Sequence, residues 1–114
     1  MLYATIGVFA LAAVMGLVIA VAIFNRKPET PKAAVVAHGL FGATGLVLLI
    51  VYAMNNMDNY PQVALILFVI AALGGFILLY NDLGKKKPGP VSLVVIHALA
   101  AVVAFVLLLA FALF

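Results

Sequence analysis

Two residues in this chain have types and spacing that could do chemistry. His38 sits in an apolar run from Pro31 to Ala53 (PKAAVVAHGLFGATGLVLLIVYA). His97 sits in a second run from Pro90 to Ala112 (PVSLVVIHALAAVVAFVLLLAFA). Each run opens on proline, carries its histidine seven residues later, and goes on through small residues to Val-Leu-Leu. At 1.5 Å per residue each histidine lies about 10 Å along its helix from the proline, so the two rings share one depth. An ionisable side chain inside a membrane is costly, normally faces the bundle interior, and has a functional role as its default reading. Two facing imidazoles suit one metal bound from both sides, and bundle cores bind cofactors from facing helices.

The elements that must position these rings follow from composition. The chain has 114 residues, of which 69% are hydrophobic and 8% charged. Soluble proteins average about 45–50% and about 25%. The fold class expected is an all-α membrane protein, a four-transmembrane-helix bundle forming a single domain over 1–114. Leu2 to Phe24 is apolar and long enough to span a core about 30 Å thick. It has no basic n-region and is too long for a signal peptide. The second span runs from Ala33 to about Met54, with Pro31 in the first turn and Thr30 as a cap. Pro61 opens a third span to about Tyr80, and Pro90 a fourth to Phe114. Asp82 is expected to be a solvated helix end.

Cysteine is absent. That excludes disulfides, thiol redox chemistry and cysteine-ligated clusters. All six Lys and Arg lie in two loops: Arg26, Lys27 and Lys32 in one, Lys85, Lys86 and Lys87 in the other. The positive-inside rule puts both loops in the cytoplasm and both termini outside. The expected location is a bacterial-type inner (plasma) membrane. Tyr3, Tyr52, Tyr60 and Tyr80 lie near span ends, as an interfacial aromatic belt requires. Tyr52 and Tyr60 also suggest an outer-side quinone pocket, for which the belt is the simpler account.

The spans are organised as an internal repeat. Shifted by 59 residues, 2–55 falls on 61–114 without a gap. Phe9 meets Phe68, Ala12 meets Ala71, Gly16 meets Gly75, Lys27 meets Lys86, Pro31 meets Pro90 and His38 meets His97. The expected units are two parallel two-helix repeats about an axis along the membrane normal. Spans two and four then sit diagonally and aim their histidines at the centre. Gly42 and Gly45 follow His38 on its own face, and Ala101 and Ala104 follow His97. These four small residues are read as clearing space for a flat ligand. Close helix packing is the competing reading of the same residues.

A histidine on each of two helices, flanked by small residues, resembles small four-helix membrane b-type cytochromes of the cytochrome b561 kind. The resemblance covers the whole topology. Two-haem members of that group use four histidines; two are enough for one bis-histidine haem b. No Cys-x-x-Cys-His is present, so attachment of the c-type is excluded. The resemblance implies His38 and His97 as ligands of the haem iron. Lys32 and Lys85 to Lys87 are the expected partners of the propionates. The implied function is electron transfer, exchanging electrons with quinone or a membrane redox partner. The alternative is a non-redox accessory or scaffold subunit of a larger complex, its histidines bonding a neighbouring helix. Expected partners are the lipid bilayer and other membrane proteins, in a homo- or hetero-oligomer, with no nucleic acid. Zinc usually takes four ligands, and no carboxylate or thiol lies near in sequence to supply the rest. A small multidrug exporter would need a carboxylate in its first span, and this chain has none there. A dual-topology fluoride channel would lack the one-sided charge bias.

Overall fold

The structure is a computed structural model and describes residues 1–85 and 89–114. Lys86 and Lys87, expected beside the propionates, lie outside the described residues. Four α-helices follow one another: α1 (Leu2–Phe24), α2 (Lys32–Asn55), α3 (Gln62–Leu79) and α4 (Val91–Leu113). A π-helical turn, Tyr80–Gly84, continues α3. All four helices are long and apolar enough to cross a membrane. The bundle measures 46 × 21 × 20 Å. Its long axis matches a bilayer of about 40–45 Å with headgroups.

Prolines set three of the helix starts. Pro31, Pro61 and Pro90 each take the position just before the first helical residue. Proline lacks the N–H that a helix start leaves unpaired, so nothing is lost there. Thr30 does not cap α2. Its hydroxyl instead donates to Oδ1 of Asp82 at 2.8 Å, and Lys32 Nζ donates to the Asp82 carbonyl at 3.4 Å. Asp82 is buried, not solvated as its position at a span end suggested. The π turn carries it round to the 25–31 connection, which covers it. That connection begins where Arg26 takes a left-handed conformation (φ 56°) and ends α1. The Arg26 and Lys27 N–H groups then satisfy the carbonyls of Ile23 and Ala22.

Helix α1 packs along α2 and α3 along α4; the α2–α3 and α1–α4 seams close the ring. Helices α2 and α4 are therefore diagonal, as are α1 and α3. The core is Phe9, Leu49, Ala64, Phe68, Ala104 and Leu108. Phe9 and Phe68 stack in parallel at the centre, ring centroids 3.9 Å apart and planes within 2°. Most large side chains, among them Leu17, Ile66, Phe76, Leu99 and Val102, point outward. Alanines make up half of the buried hydrophobic residues, because lipid solvates large apolar groups as well as a core does and small residues let helices approach.

Candidate cofactor site

Two turns into α2 and α4, His38 and His97 come together from diagonal helices. Their ring centroids are 5.9 Å apart and their planes cross at 83°. Each ring is tied to the helix preceding its own. His38 Nδ1 lies 2.7 Å from the carbonyl oxygen of Ala12 on α1. His97 Nδ1 lies 2.7 Å from that of Ala71 on α3. A carbonyl oxygen only accepts, so each Nδ1 carries the proton and donates. In the neutral ring Nε2 is then the bare donor atom.

Each Nε2 borders accessible space. It has no hydrogen-bond partner among the described residues, yet no side-chain nitrogen or oxygen there is both buried and unpartnered. The rings are correspondingly half-buried. Gly42, one turn beyond His38, also faces open space: a Cβ there would meet nothing within 4 Å. Its counterpart Ala101 is half-buried.

The other two small residues lie in a different layer. A Cβ on Gly45 would come within 2.8 Å of the Phe9 ring. Ala104 is fully buried in the core that contains Phe68. Gly45 thus borders the Phe9 ring, and Ala104 belongs to the core cluster that holds both phenylalanines. Two glycines given no role by the sequence reading seat the histidines. A Cβ on Gly16 would lie 3.0 Å from His38 Cε1, and one on Gly75 would lie 3.1 Å from His97 Cε1. Their signal was available: Gly16 matches Gly75, and Ala12 matches Ala71, at the same 59-residue shift that pairs the histidines.

No family model matches the chain, nor does any curated protein or solved structure. The chemistry must be read from the site itself. Among the described residues no three His, Asp or Glu side chains gather into a metal-binding group. The donor set is therefore the two imidazoles. With metal–nitrogen bonds of about 2.0–2.1 Å, imidazoles on opposite sides of one metal stand with ring centres about 6 Å apart. The observed separation fits. The anchoring of Nδ1 also fits, because metal-bound histidines donate their other N–H to a carbonyl, carboxylate or water.

At the basic end Lys85 stands over the Tyr80 ring, 5.6 Å from its centroid. At the other end Tyr52 packs edge-on to Phe111, with centroids 6.3 Å apart. Tyr60 lines a shallow apolar groove with Met54, Met57 and Leu65.

Proposed function

We propose that this chain is a small membrane electron-transfer protein that carries one b-type haem between His38 and His97. The observation that carries the reading is the pair of diagonal imidazoles, 5.9 Å apart, each with Nδ1 tied to a backbone carbonyl and Nε2 bare. The haem would supply one-electron chemistry; bis-histidine ligation leaves the iron no open position, which suits electron transfer rather than oxygen chemistry. The protein's share is to hold both rings, to keep both Nε2 atoms unprotonated, and to exclude water with the Phe9–Phe68 layer. Gly42 and Ala101 would border the macrocycle. Lys32 and Lys85 stand at the end where propionates would be neutralised.

In this reading the chain is two parallel two-helix repeats about an axis normal to an inner membrane. The hydrogen bonds Ala12–His38 and Ala71–His97 support it, since each joins residues 26 apart at the same length. The basic loops face the cytoplasm, and electrons pass to quinone or a redox partner. The test is an absorption spectrum of the detergent-purified protein, oxidised and reduced. Sharp reduced bands of a low-spin haem are expected, and they should disappear in His38→Ala and His97→Ala. The same haem content and spectrum in the double variant would overturn the ligand assignment.

One observation favours a second reading, a non-redox scaffold. Each histidine already joins two helices through its Nδ1 bond, a structural role in itself. Colourless protein from haem-replete cells that takes up no added haem would decide for the scaffold.

A further inference from the structure

Each imidazole is held in a slot on the neighbouring helix, and the slot has two parts four residues apart. Ala12 supplies the carbonyl and Gly16 the gap for His38; Ala71 and Gly75 do the same for His97. The spacing has a physical cause. A helical side chain leans toward the N-terminus and covers the turn before its own Cα. A side chain at position 16 would therefore cover the Ala12 carbonyl. Glycine uncovers it, and the ring enters edge-first until Nδ1 reaches the oxygen at 2.7 Å. A Cβ at Gly16 would lie 3.2 Å from Nδ1 as well as 3.0 Å from Cε1, directly in the ring's path. At Gly75 the corresponding distances are 3.6 Å and 3.1 Å.

We propose that Gly16 and Gly75 are positioning residues that set the tautomer of His38 and His97: by uncovering the Ala12 and Ala71 carbonyls they fix the proton on Nδ1 and leave Nε2 as a bare donor. The ligand class this prepares is a metal centre taking one neutral imidazole on each of two opposite faces. The inference deepens the haem reading. The slot itself exists without any bound group and is tested without one.

The test is 15N NMR of the detergent-solubilised, haem-free full chain labelled at histidine, in which protonated and bare ring nitrogens are well separated. His38→Ala and His97→Ala assign the two sets of signals. The parent should show both histidines with Nδ1 protonated and Nε2 bare. Gly16→Ala should move the His38 signals toward the other tautomer and leave those of His97 in place. Gly75→Ala should do the reverse. Gly39→Ala, where a Cβ meets nothing within 4 Å, is the control and should move neither. Protonated Nε2 in the parent would overturn the proposal, and so would unchanged tautomers in both glycine variants. The parent measurement stands even where a variant does not fold. Protein with the expected tautomers that binds no haem would sustain the slot and defeat the haem reading; haem binding with the opposite haem-free tautomers would do the converse.

Discussion

Two glycines one turn apart on α2 separate packing from space. Gly45 is pressed against the Phe9 ring, which is itself stacked on Phe68. Neither phenyl ring can turn aside without breaking the stack. Gly45→Ala should overpack this layer and destabilise by about 1–3 kcal/mol, measured as a lowered midpoint of thermal unfolding in detergent. Gly42→Ala adds a methyl group to open space and gains helix propensity, which for alanine over glycine is about 0.8–1.0 kcal/mol in water. It should leave the midpoint unchanged or raise it. Gly42→Phe should also leave the apo protein folded while lowering haem occupancy, because it fills the space beside His38. Equal haem uptake by Gly42→Phe and the parent would place the cofactor elsewhere.

The connection between α1 and α2 is fastened to the end of α3 through the Thr30–Asp82 hydrogen bond, with Lys32 Nζ on the Asp82 carbonyl beside it. Thr30 is buried and donates to Asp82, a carboxylate that the π turn carries inward. Under the repeat, Thr30 corresponds to Gly89 and Asp82 to Ile23. Thr30→Val keeps the shape and removes the donor, leaving a buried carboxylate without its side-chain partner; a loss of about 1–3 kcal/mol is expected. Replacing both partners by apolar groups of similar shape can be nearly neutral. Thr30→Val with Asp82→Leu should therefore recover much of the loss. The readouts are the unfolding midpoint and the rate of proteolysis in the 25–31 connection. If the double variant is less stable than Thr30→Val, the bond is not the source of the effect.

For the whole molecule the charge pattern makes the prediction. Arg26, Lys27, Lys32 and Lys85 cluster at one end of a bundle whose other end carries Asp58 and both termini. Basic loops are retained in the cytoplasm during insertion. A single cysteine at Asp58 should react with a membrane-impermeant thiol reagent added to intact cells, and one at Lys27 only after lysis. The reverse pattern would invert the protein in the membrane. Diagonal placement of α2 with α4 leaves the two imidazoles as each other's neighbours across the centre, and no other titratable side chain among the described residues hydrogen-bonds to either.

The amino-acid sequence by itself determined the four helices. The expected span Leu2 to Phe24 is α1, and the other α-helix boundaries moved by one residue, because hydropathy ends sharply at the loops and three prolines mark the starts; the π turn alone carries the third span past Tyr80, to Gly84. It also marked His38 and His97 as titratable side chains set well inside the spans. Tertiary structure alone decided what surrounds them. A helix that is apolar all round has no polar face to say which side turns inward. Gly42 and Gly45 therefore looked alike on one helix, although one faces open space and the other a phenyl ring. The Ala12–Gly16 and Ala71–Gly75 slots lie on different helices from the histidines they hold, and only the packing of α1 on α2 and α3 on α4 brings them within 2.7 Å. Asp82 was misjudged for the same reason: its partner Thr30 lies 52 residues away in the chain, and nothing local to either residue signals the contact.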